Sequence, residues 1–164
     1  KILDLAGSDD EALSWAAIVA LKGRRDDTVR RRALELLGRR PPVLDAIRLL
    51  ASNYRIGDHA LIESILPEGG DPDTLHSLGL AILDVVDEAK DRRLSPCLRW
   101  LYETGPCSEC RNLAVSRLIE MGQASQEVLH ECLLDCSEDT RKAARKALGL
   151  PFENDACLST DGKG

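Results

Sequence analysis

Apolar residues recur along this chain at the three- and four-residue intervals of an amphipathic helix, and each run is closed by glycine, proline or an acidic residue. The first run, residues 12–22, follows Ser8-Asp9-Asp10-Glu11, a capping box in which hydroxyl and carboxylate satisfy orphan backbone donors, and Gly23 suits its C′ position. Asp26 or Asp27 caps residues 28–37, which stop at Gly38. Pro41-Pro42 opens residues 43–53, because proline fits only the first turn of a helix, and Asp58 opens residues 58–67. After the turn Gly69-Gly70-Asp71-Pro72-Asp73 come runs over 74–88, 91–103, 108–121, 125–136 and 139–148. The pattern predicts nine helices and no strand over residues 1–150, followed by a polar tail over 151–164.

The helices repeat one another. Val29-Arg30-x-x-Ala33-x-x-x-Leu37-Gly38 and Thr140-Arg141-x-x-Ala144-x-x-x-Leu148-Gly149 share one spacing, each behind an acidic residue. Cys110-Arg111-x-x-Ala114-x-x-x-Leu118 and Leu75-His76-x-x-Gly79-x-x-x-Leu83 fit the same frame, and Leu13-Ser14-x-x-Ala17-x-x-x-Leu21 fits it more loosely. The first, fifth and ninth positions share a helical face, so each helix presents an apolar stripe with a small residue at its centre, which lets neighbours approach closely. Intervals of 46, 35 and 30 residues between Arg30, His76, Arg111 and Arg141 suit two-helix repeats, which bury their apolar faces by stacking.

This pattern resembles HEAT repeats, whose second helix commonly begins with an acidic turn followed by Val-Arg-x-x-Ala, as at Asp27-Thr28-Val29-Arg30 and Asp139-Thr140-Arg141. The resemblance covers most of residues 10–149. It implies an all-α fold, a right-handed α-α superhelix of about four to five two-helix repeats, with Arg30 as a structural residue between repeats. The alternation slips once, since Arg30 falls on the second predicted helix and Arg111 and Arg141 on the seventh and ninth.

Composition narrows the function. Aromatic residues make up only 3% of the chain, so the core is built from Leu, Ala, Ile and Val, and little is left for a base-stacking platform. The net charge of -6 opposes non-specific nucleic-acid binding, but it is unevenly spread. Residues 1–56 carry 11 Lys/Arg against 8 Asp/Glu, and residues 57–164 carry 11 against 20. No apolar run is long enough to cross a bilayer.

Six cysteines are the main candidate for chemistry. Cys107-x2-Cys110 and Cys132-x3-Cys136 offer four thiolates to a tetrahedral zinc. The competing reading, which is preferred, makes them core: Cys110 takes the apolar slot of its repeat, Val128, Cys132, Leu133 and Cys136 form one face, and Cys97 lies between Leu94, Leu98 and Leu101. No strand precedes the Cys-x-x-Cys, which removes the thioredoxin-like setting, and a reducing cytoplasm is the expected location. His59, His76 and His130 form no ligand spacing with one another, and the lone His130-Glu131 pair reads as surface, unlike the several such pairs of HEAT-type di-iron hydroxylases. No phosphate loop or nucleophile elbow is present, so no catalytic residue is assigned and no metal or cofactor is expected.

Arg24, Arg25, Arg31, Arg32, Arg39 and Arg40 cluster around the second helix and form the candidate partner-binding surface, unless they are neutralised by Asp26, Asp27, Glu35 and other acids. Trp15 and Trp100 are candidate hot spots if exposed. The reading that results is a non-enzymatic scaffold that binds another protein. A HEAT-like DNA glycosylase using the arginine cluster is the alternative, and a HEAT-like lyase or a purely structural spacer has no identifying motif.

Overall fold

The computed structural model describes residues 1–39 and 41–151; Arg40 and the predicted tail from residue 152 onward lie outside the described residues. The described chain is helical throughout, with no strand. Its helices are α1 (Ile2–Leu5), α2 (Glu11–Leu21), α3 (Asp27–Leu37), α4 (Ile47–Leu50), α5 (Asp58–Ser64), α6 (Pro72–Ala89), α7 (Ser95–Thr104), α8 (Ser108–Glu120), α9 (Gln126–Cys132) and α10 (Glu138–Ala147). They fall into two compact units, Lys1–Gln123 and Ala124–Gly164.

Helix starts follow local chemistry. The side chains of Asp10, Asp26, Asp71, Ser125 and Ser137 accept backbone N–H bonds from the first turns of α2, α3, α6, α9 and α10. The predicted capping box is displaced: Asp10 caps α2, while the Ser8 hydroxyl accepts the N–H of Asp10. Gly57, at φ 110°, turns the chain into α5 in a conformation that a side chain would strain. The predicted helix over 43–53 is instead one α-turn, α4, between the 3-10 turns Leu44–Ala46 and Ala51–Asn53. The short helix α1 is an addition that the pattern did not announce.

In the first unit α2, α4, α6 and α8 pack successively, each on the next, while α3 packs on α4, α5 on α7, and α7 on both α6 and α8. Their interface holds the largest buried side chains, among them Ile18, Leu36, Ile47, Leu50, Ile82 and Leu98. Each such residue contributes about 1.5–3 kcal/mol of burial free energy. In the second unit α9 packs on α10, and Val128, Leu129, Cys132, Thr140 and Ala144 are buried.

Polar groups tie helices together that are far apart in the sequence. Arg30 of α3 forms a two-pronged pair with the Asp58 carboxylate of α5 and donates to the Asn53 carbonyl at 2.9 Å. The Asn53 amide donates to the Arg24 carbonyl at 2.7 Å, and its Oδ1 accepts the Asp26 N–H at 2.9 Å. Arg30 therefore joins α3 to α5 and to the turn that precedes it. Across α2, α4 and α6, the buried Arg48 lies over the Trp15 ring at 5.1 Å and donates to Asp84, which also pairs with Lys22. Among the described residues no helix is long and apolar enough to cross a membrane.

Candidate functional site

The arginines that are neighbours in sequence part company in the fold. Arg24 and Arg25 precede α3 and Arg39 follows it, so about 15 Å of helix separates them at 1.5 Å per residue. Arg32 donates to the carbonyls of Leu3 and Asp4, and Arg39 to that of Gly7, so both bind the chain around α1. Cations suit those carbonyls, because the end of a helix carries unpaired acceptors. Arg31 is exposed beside Glu35. Arg40 lies outside the described residues.

Arg25 instead joins a basic edge assembled from three turns. The turns before α3, α5 and α7 meet in an open groove of about 660 Å³ lined by Arg25, Tyr54, Ile56, Glu88, Lys90, Asp91, Arg92 and Arg93, among others. Four of those named are cationic and two anionic, on a chain whose net charge is -6. Ile56 is 78% exposed on this edge. The Tyr54 hydroxyl donates to Asp91 at 2.8 Å, and Asp91 accepts from the backbone and side chain of Arg93, each at 3.0 Å. These bonds, the Arg93 side chain first, hold the Asp91 carboxyl at about 2. Burial, then the same bond to Asp91, pushes the Tyr54 phenol upward. Arg25 approaches Glu88 at 3.5 Å, whereas Lys90 and Arg92 are exposed cations that also line a smaller hollow with Arg117 and Glu120.

A second cluster gathers thiol and imidazole. Cys107 occupies the N-cap of α8, Cys110 lies in its first turn, and α6 brings His76 alongside, so that Nδ1 of His76 is 3.4 Å from Sγ of Cys110. The three donor atoms lie within 4.8 Å of one another. The backbone N–H of Cys110, and then that of Glu109, holds the Cys107 thiol below its ordinary range, although no capping hydrogen bond of regular geometry forms. Burial pushes the Cys110 thiol up to about 11.

The remaining sequence candidates separate clearly. Cys97 and Cys132 are fully buried, in keeping with the core reading. Cys136 is a correction: α9 ends at Cys132, which leaves Cys136 exposed beside Asp135 rather than on an apolar face. Among the described residues the close group of three potential ligands is His76, Cys107 and Cys110, all within the first unit. Trp15 is half-exposed, while the Trp100 indole donates to the Pro67 carbonyl at 2.7 Å. His130 is exposed and its ring lies 2.6 Å from the Gln126 carbonyl. The groove residues Lys90, Arg92 and Arg93 were missed because more than sixty residues separate them from Arg25. In comparisons with protein-family models, curated proteins and solved structures, no match to this chain was found.

Proposed function

We propose that this chain is a HEAT-like helical-repeat module that binds another protein, taking an acidic segment of its partner along the edge formed by the turns before α3, α5 and α7. The observation behind this reading is a groove in which cations outnumber acids on an otherwise acidic chain, with Ile56 exposed as an apolar anchor. Charge of this kind steers encounter and sets specificity, and an apolar contact beside it slows dissociation. The two carboxylates that line the groove are engaged in ion pairs, Glu88 with Arg25 and Asp91 with Arg93, an arrangement that suits recognition rather than turnover.

The test is a peptide-display selection against the full chain, followed by affinity measurements. Peptides rich in Asp and Glu beside an apolar residue should be enriched. Their binding should weaken at least about tenfold in the double variant Arg25→Glu, Arg92→Glu and in Ile56→Asp, and remain unchanged in Arg31→Glu. Selected peptides without acidic residues, or binding indifferent to the groove variants, would remove the proposal. A single-stranded oligonucleotide run in parallel decides the alternative, because steeply salt-dependent binding to it would place nucleic acid first.

A further inference from the structure

We propose that His76, Cys107 and Cys110 form a zinc site with three protein ligands and a fourth position open to water or an exchangeable donor. Two sulfurs and one imidazole nitrogen are a donor set that selects zinc over the hard, oxygen-seeking cations. Tetrahedral zinc places such donors about 3.5–3.8 Å apart, from bond lengths near 2.3 Å to sulfur and 2.0 Å to nitrogen. The 3.4 Å separation of His76 Nδ1 from Cys110 Sγ already meets that spacing, and the whole set lies within 4.8 Å. The site comes from two packed helices, α6 and α8, so its geometry is held by the core rather than by a loop.

The cap residue of α8 argues against simple packing. Five other helices in this chain are capped by Asp or Ser oxygens that accept a backbone N–H, whereas α8 places a half-exposed cysteine there, its sulfur facing the N–H of Cys110. Cys97 and Cys132 show how this chain uses cysteine as core, fully buried on apolar faces. Cys107 follows neither pattern. As a thiolate at a helix N-terminus it is favoured by the helix dipole, and with Cys110 it would neutralise a divalent ion while His76 adds a neutral donor. Binding would release the thiol protons to solvent.

The experiment uses the full chain, reduced and stripped with chelator, titrated with Co²⁺ and then with Zn²⁺. One cobalt per chain is expected, with thiolate-to-metal charge-transfer absorption that zinc abolishes by displacement. Cys107→Ser should remove the band, His76→Gln should weaken affinity at least about tenfold, and Cys97→Ala should change nothing. His76→Cys should retain one equivalent with a stronger charge-transfer band. Cys107 and His76 are both only partly buried, and circular dichroism confirms that each variant is folded. Absence of the band in the reduced wild type would overturn the proposal and leave a dithiol. Retention of the unaltered band in both Cys107→Ser and His76→Gln would overturn it equally, by placing the metal on other groups.

Discussion

Helices α3 and α10 carry one sequence pattern and use it differently. In both, the small residue at the centre of the stripe, Ala33 or Ala144, is fully buried, as is the residue at its head, Val29 or Thr140. The arginines diverge. Arg30 reaches across to α5 and pairs with Asp58, the two side chains being only 13% and 9% exposed. Arg141 turns back to the loop before its own helix, donating to the carbonyls of Asp135 and Cys136 at 2.7 and 3.0 Å. The pattern thus encodes the apolar face, while the role of the arginine depends on what stands opposite it. A carboxylate on another helix makes it a bond between helices, and a loop carbonyl makes it a local clasp.

The largest effect should come from removing the carboxylate. Asp58→Ala leaves the Arg30 guanidinium enclosed without its counter-charge, and should lower stability by about 3 kcal/mol in urea unfolding followed by circular dichroism. Arg141→Ala loses two hydrogen bonds near the surface and should cost about 1 kcal/mol. The double variant Arg30→Met, Asp58→Leu should recover much of the first loss, since an apolar pair needs no desolvation. Equal losses in Asp58→Ala and Arg141→Ala would break the distinction between the two helices.

The small-residue position supplies a second contrast of intermediate size. On α6 it is Gly79, where an added Cβ would stand 2.5 Å from Cδ1 of the fully buried Leu101 of α7. Gly79→Ala gains about 1 kcal/mol of helix propensity but meets an overpacking cost of about 1–3 kcal/mol, for a net loss of about 1 kcal/mol. Ala33→Gly, which opens space in the same slot on α3, should lose both helix propensity and the burial of its methyl group, about 2 kcal/mol together. A stabilised Gly79→Ala variant would mean that α6 and α7 can separate without penalty.

The parts of the molecule that were legible in its sequence are those set by neighbours along the chain. Asp26 marked a helix start because a cap acts within three residues, and Ala33, Ala114 and Ala144 marked a packed stripe because its period is helical. The region around Pro41-Pro42 misled: a helix to Asn53 was expected, and two 3-10 turns flank a single α-turn instead. Neither candidate site was legible whole. Cys107 and Cys110 stood out through their spacing, but His76 is 31 residues before Cys107 and joins them only because α6 packs on α8. The repeat frame held the clue, for Leu75-His76 and Cys110-Arg111 occupy the same two slots of helices that prove to be adjacent. The arginine cluster is divided for the converse reason: Arg24 and Arg25 stand before α3 and Arg39 after it, although they are neighbours in sequence.

The smallest effect follows from the kind of acceptor that each arginine meets. Burial alone would raise the Asp58 carboxyl, but the bonds from Arg30 and from the Arg55 N–H outweigh it and hold it below its usual range. A carboxyl depressed in the folded state contributes stability that is fully present above its unfolded pKa, about 3.9, and is lost as pH falls through the lower folded value. The carbonyls of Asp135 and Cys136 do not titrate, so the clasp at Arg141 adds no such dependence. In acid-unfolding curves Asp58→Asn should therefore have a shallower decline below pH of about 4 than the wild type. Arg141→Ala should lie parallel to the wild type at lower stability. If the Asp58→Asn curve ran parallel as well, the carboxylate would be protonated alike in the folded and unfolded chains, and the difference between the two arginines would rest on hydrogen bonding rather than on charge.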